Sequence, residues 1–208
     1  MRDFQLIETM RWETGTGILR LSLHMARLRN SANTLGFAVP SDLERRLSAA
    51  LPEHAKALRV RLALGDDGEL DITTAPFVPL PENTVWRVRI APNRLNSNDP
   101  LLRHKTTLRS AYETARSAFS QTETDEVLLC NERDELCEGT ITSLFVDDGS
   151  GFLKTPPLSC GLLAGVLRTE LICRQRTRVA RLKIDDLLAG KLYVGNSLRG
   201  LIRAELQR

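Results

Sequence analysis

Residues 126–153, EVLLCNERDELCEGTITSLFVDDGSGFL, place three short apolar runs one after another with no helical stretch between them. Glu126 to Cys130, Ile141 to Asp147 and Gly151 to Leu153 read as strands, the last two joined by the DDGSG turn of residues 147–151. Successive parallel strands of a doubly wound sheet would need a crossover helix between them. The run therefore argues for α+β architecture, not a doubly wound sheet.

Working outward, VWRVRIAP (85–92) is a further strand and Thr106 to Phe119 is expected to be helical. Upstream, LRVRLAL (58–64) and ELDITTA (69–75) alternate around GDDG, a hairpin signal. FQLIETMRW (4–12) opens the chain as a strand that turns at Gly15 to Gly17 into a second around Ile18 to Leu21. Ser22 then caps a helix ending at Gly36, and Ser41 or Asp42 caps another that closes before Pro52. Downstream, Leu163 to Cys173 reads as a helix, Arg178 to Leu182 as a strand, DDLLAG (185–190) as a short helix and KLYVGNSL (191–198) as a strand. APFVPLPEN (75–83) holds three prolines and is the expected linker, dividing a domain of residues 1–80 from one of residues 81–208.

With 208 residues, 42% of them hydrophobic, the chain can bury a core without metals or disulfides. Cys130, Cys137, Cys160 and Cys173 are too widely spaced for a CxxC pair, and no apolar leader or long apolar span is evident. A soluble, cytoplasmic protein is expected. The net charge of +3 is modest and the basic residues are scattered, so neither nucleic acid nor a membrane is an expected partner. Only Lys56, Lys105, Lys154, Lys183 and Lys191 are lysines; the other basic residues are arginines, suited to carboxylate and phosphate recognition.

Several chemistries lack their residues. There is no GxGxxG and no GxxxxGK[ST], and the GTG at Gly15 stands alone. His24, His54 and His104 do not have metal-ligand spacing, the GDDG aspartates lack the rest of a calcium loop, and no GxSxG elbow exists. What remains is Lys105, in LLRHKTTLR between leucines and the start of the expected helix, where an amine could be kept dry and attack a carbonyl. The same context suits a solvated lysine that starts a helix, and taken alone it favours that plainer role.

LIETMRW (6–12), HMARLRNSA (24–32), HKTTLR (104–109), CEGTITSLFV (137–146), GLLAGVLR (161–168) and GNSLRG (195–200) follow one another in the order and spacing of a known family. Together they resemble the class IV aminotransferases, the fold-type-IV pyridoxal 5'-phosphate enzymes that include branched-chain and D-amino-acid transaminases and 4-amino-4-deoxychorismate lyase. The resemblance implies a small N-terminal α/β domain, a larger C-terminal domain with a barrel-like sheet, and an active site near a homodimer interface. It also implies that Lys105 carries the cofactor as a Schiff base and moves the proton at the substrate carbon.

By the same resemblance Glu138 contacts the pyridine nitrogen, where a carboxylate favours the protonated ring. Arg27 matches the phosphate arginine, and the helix start at Gly165, Val166 and Leu167 the backbone anion site. Leu163 matches the apolar residue against the ring, and Asn196 with Ser197 a second phosphate-side turn. Read plainly, Glu138 would be a turn glutamate, Arg27 an exposed helix charge, and the others core and turn residues.

Two departures matter. Leu167 stands where transaminases of the family commonly carry threonine, and Ser143 where asparagine is frequent. The apolar residue is associated with the lyase branch, so the resemblance points to 4-amino-4-deoxychorismate lyase with a functional link to aminodeoxychorismate synthase. A transaminase and a non-catalytic subunit are the alternatives. Arg11, Arg94, Arg103 and Arg199 are candidates for the substrate carboxylates.

Overall fold

The computed structural model describes residues 3–52 and 56–207, and His54 lies outside them. The chain divides into two compact units, one of residues 1–79 with 104–108, the other of residues 80–103 with 109–208.

In the first unit β1 (Leu6–Glu13) turns at Gly15 into β2 (Gly17–Ile18), and α1 (Leu21–Leu35) and α2 (Leu43–Ala49) precede β3 (Ala57–Leu64) and β4 (Leu70–Pro76). The sheet runs β2-β1-β3-β4, antiparallel throughout, with Leu6 opposite Leu64 and Leu64 opposite Leu70. Alternation puts Leu58, Val60, Leu62 and Leu64 of β3 on one face, where they pack with Leu6, Met10, Met25 and Leu28. Arg20, in the left-handed region at φ 58°, takes the N-cap position of α1 expected of Ser22. Ser22 lies two residues later, already inside the first turn of α1.

His104 to Leu108 belongs to this first unit and lies beside β1. The Ile7 N–H donates to the Lys105 carbonyl (2.9 Å), the Thr107 N–H donates to the Gln5 carbonyl (3.0 Å), and Leu6 bridges Thr106. The helix expected from Thr106 is therefore extended chain at its start. Two β-branched threonines whose backbone finds strand partners do not enter a helix.

In the second unit β5 (Val85–Leu95) leads to α3 (Ser110–Ser117), then β6 (Glu126–Asn131), β7 (Leu136–Gly139), β8 (Ser143–Asp147) and β9 (Leu153–Thr155). These are followed by α4 (Val166–Cys173), β10 (Thr177–Val179), α5 (Ile184–Ala189), β11 (Lys191–Asn196) and β12 (Gly200–Leu206). The eight strands form a mixed sheet in the order β10-β9-β8-β11-β12-β5-β6-β7. Its parallel pairs are β10 with β9, β12 with β5 and β5 with β6. The strands expected at 141–147, 151–153 and 178–182 are shifted to β8, β9 and β10, and β7 and β12 were not anticipated.

β6 is buried on both faces. Val127 and Leu129 pack with Ala91, Leu95, Ala115 and Leu162, whereas Leu128 and Cys130 pack with Val88, Leu144, Val146 and Val194. Its near-continuous apolar run is the pattern that a strand covered on both faces requires. The four cysteines are free thiols, three of them buried. Among the described residues no helix is long and apolar enough to cross a membrane, and no group of three or more His, Cys, Asp or Glu residues could hold a metal ion.

Candidate active site

In the first unit, Lys105 is half-buried in the extended segment, its backbone anchored to β1. Its neighbour His104 places Nδ1 2.9 Å from Ser31 Oγ on α1, and burial lowers the pKa of the ring. Arg27, also on α1, directs Nε to Glu8 Oε1 (2.8 Å) and Nη2 to Glu8 Oε2 (2.6 Å), a bidentate fork. His24 Nδ1 is 2.6 Å from the same Oε2. Burial alone would raise the pKa of Glu8, but the charge of Arg27 and the hydrogen bonds from His24 and Arg27 outweigh it and hold the carboxyl at about 2. Burial lowers the pKa of His24, and its Nδ1–H donates to the carboxylate. Arg27 is thus no exposed helix charge, and Glu8 and His24 are partners that the sequence reading did not single out.

In the second unit, Glu138 is buried on β7 opposite Leu129. Its Oε1 accepts the Tyr112 hydroxyl (2.7 Å) and the Leu163 N–H (3.1 Å). Glu138 is therefore a strand residue aimed inward, not a turn glutamate. Burial, followed by the negative charge of Glu138, raises the pKa of the Tyr112 hydroxyl, which stays a protonated donor. The guanidinium of Arg109 lies 4.7 Å over the Tyr112 ring and donates to the Thr140 carbonyl. Tyr112 was missed because an aromatic residue on a short helix carries no mark of its partner.

The loop after Glu138 is held by a second buried carboxylate. Glu126 accepts the N–H groups of Val127 (2.8 Å), Thr140 (3.0 Å) and Ile141 (3.1 Å) and the hydroxyls of Thr140 (2.5 Å) and Thr142 (2.8 Å). A Cβ at Gly139 would lie 2.4 Å from Thr142 Oγ1 and 2.8 Å from Glu126, so glycine is needed there.

Gly165 is the N-cap of α4, and a Cβ there would lie 2.4 Å from Ser143 Oγ. The N–H groups of the first turn, including those of Val166 and Leu167, have no partner within the helix and favour an anion. The Leu167 side chain is buried with Phe145 and Leu171, leaving its backbone as the polar group it can offer. Asn196 Oδ1 accepts the N–H groups of Leu198 (3.1 Å) and Arg199 (2.9 Å), and its Nδ2 donates to the Ile141 carbonyl (3.1 Å). The Asn196 side chain therefore shapes the turn, beside a buried Ser197.

Of the four arginines considered for substrate carboxylates, Arg94 is bonded to Asp134 (2.9 Å), and Arg11 pairs with Glu13 and stacks 5.0 Å from the Phe77 ring. Arg199 lies 5.8 Å over the Trp86 ring. Among the described residues, the Nε atoms of Arg11 and Arg103 are both buried without a hydrogen-bond partner.

The family model for amino-transferase class IV matches residues 5–205. The chain is similar to a Mesorhizobium loti protein carrying an inferred amino-acid aminotransferase assignment, 51% identical over 99% of this chain and 100% of that one, with a TM-score of 0.96. It is also similar to a protein assigned by inference as a 4-amino-4-deoxychorismate lyase, 27% identical over 98% and 85% of the two chains, with a TM-score of 0.83. A branched-chain aminotransferase from the archaeon Thermoproteus uzoniensis, solved with norvaline, shares the fold at 20% identity over 98% and 78% of the two chains, with a TM-score of 0.84. A search of the curated proteins gives no match.

Proposed function

The chain belongs to the class IV aminotransferase family, whose enzymes depend on pyridoxal 5'-phosphate, and from that premise we propose that it is a 4-amino-4-deoxychorismate lyase releasing 4-aminobenzoate and pyruvate. Its residues fit the cofactor: a buried carboxylate at Glu138 for a protonated ring nitrogen, a guanidinium at Arg27, and the first turn of α4 for a phosphate. When bound, the cofactor supplies an electron sink for the bonds of the amino-bearing carbon.

Lys105 would hold the cofactor, and its side-chain amine would take the proton from the amino-bearing ring carbon. Glu138, fixed by Tyr112 and the Leu163 N–H, keeps a proton on the ring nitrogen. Leu163 would lie against the ring. Arg27, the N–H groups of Val166 and Leu167, and the turn at Asn196 and Ser197 hold the phosphate. Arg11 and Arg103, each with a buried Nε that lacks a hydrogen-bond partner among the described residues, are the arginines best suited to a substrate carboxylate. As the proton leaves the ring carbon, the enolpyruvyl ether oxygen departs and aromatisation drives the step.

The observation that carries the lyase over the transaminase is Leu167, apolar and buried where a hydroxyl contact to phosphate is common in transaminases. The transaminase is the second reading, favoured by the 51% identity to the Mesorhizobium loti protein. We further place the protein in the cytoplasm as a homodimer, working on the product of aminodeoxychorismate synthase. With 4-amino-4-deoxychorismate made in situ, the lyase releases 4-aminobenzoate and pyruvate in equal amounts without a 2-oxo acid. Rapid stoichiometric transfer of an amino group from an ordinary L- or D-amino acid to the cofactor, with no 4-aminobenzoate formed, would replace it with the transaminase.

A further inference from the structure

β1 alternates, and Leu6, Glu8 and Met10 share the face turned to the core, where Leu6 and Met10 pack with Met25 and Leu28 of α1. An apolar side chain is expected at the middle position. Instead Glu8 is a carboxylate only 1% exposed, met by His24 and Arg27, which stand three residues apart on one face of α1. Stability does not account for the choice, since a well-packed hydrophobic substitute for a buried ion pair is often neutral or better. Geometry does.

We propose that Glu8 is a positioning residue that fixes the guanidinium plane of Arg27 for a phosphate group. The inference rests on the reading of Arg27 as the phosphate arginine. An unrestrained arginine loses rotamer entropy when a ligand immobilises it. The bidentate contact with Glu8, at 2.8 and 2.6 Å, imposes that order before the ligand arrives. His24, at 2.6 Å, fixes the rotation of the carboxylate, so the orientation is transmitted from His24 through Glu8 to Arg27.

The test compares the affinity of the apo full-length protein for pyridoxal 5'-phosphate with that for pyridoxal, which lacks the phosphate. The proteins are the parent, Glu8→Gln, Glu8→Asp, Arg27→Ala and the double variant Glu8→Gln/Arg27→Ala. Glu8→Gln is expected to weaken the phosphorylated ligand about tenfold, leave pyridoxal unchanged, and add no loss once Arg27 is gone. Glu8→Asp keeps the charge but draws the fork back, and is expected to show a smaller loss with the same ligand dependence. It carries the comparison if the glutamine variant does not fold. Equal weakening of both ligands, or the same loss with and without Arg27, would overturn the positioning role. Unchanged phosphate affinity in Arg27→Ala would remove the phosphate reading itself and the role of Glu8 with it. Loss in Arg27→Ala with none in either Glu8 variant would overturn the inference alone.

Discussion

The Tyr112 hydroxyl donates a 2.7 Å hydrogen bond to Oε1 of the buried Glu138, joining α3 to the inward side of β7. Tyr112→Phe removes a donor to that carboxylate, and a hydrogen bond to a charged group contributes about 1.5–3 kcal/mol. Turnover should fall by at least about tenfold with the cofactor still bound. A parent-like rate would detach Tyr112 from the site.

Glu138→Gln should retain cofactor but slow removal of the substrate proton, because an amide holds the ring-nitrogen proton less well than a carboxylate. A kinetic isotope effect at the amino-bearing carbon, larger in the variant than in the parent, is the expected signature. An unchanged rate and isotope effect would remove Glu138 from the ring nitrogen.

The carboxyl of Glu8 sits at about 2 in the folded chain against an ordinary 4.5, so the folded state binds fewer protons than the unfolded one between these values. Its stabilisation is complete above about pH 4.5 and is lost as pH falls through about 2, an amount of about 3 kcal/mol. Urea unfolding as a function of pH should therefore show a steeper acid loss in the parent than in Glu8→Gln. Parallel pH profiles would contradict the assignment.

A Cβ on Gly195 would lie 2.5 Å from the Gly200 carbonyl oxygen and 2.9 Å from Leu167 Cδ2. Gly195→Ala forces β11 and β12 apart and should cost about 1–3 kcal/mol. Thermal unfolding would register it, and an unaltered transition would show that this turn yields freely.

Elements whose pattern is local were legible. β3 and β4 alternate around GDDG, and Gly36 ends α1 where a left-handed residue is needed, at φ 69°. β7 was not legible, because four residues in a turn-rich stretch gain their strand character from β6. Nor was the extended course of Thr106 and Thr107, which depends on β1 far earlier in the chain. At the candidate site, the roles of Arg27, Lys105 and Glu138 came from resemblance, since a lysine or glutamate by itself carries no sign of its surroundings. Glu8 was the exception that alternation could have revealed, as an acid on the core face of an otherwise apolar pattern. Its partners, 16 and 19 residues downstream, come to it only when α1 packs on the sheet.

We propose that Lys105 carries the cofactor. The protein reconstituted with pyridoxal 5'-phosphate should be yellow, and borohydride reduction followed by peptide mapping should place the fixed pyridoxyl group on the peptide containing Lys105. A label on Lys56, Lys154, Lys183 or Lys191 instead, or no cofactor retained after reconstitution, would contradict it.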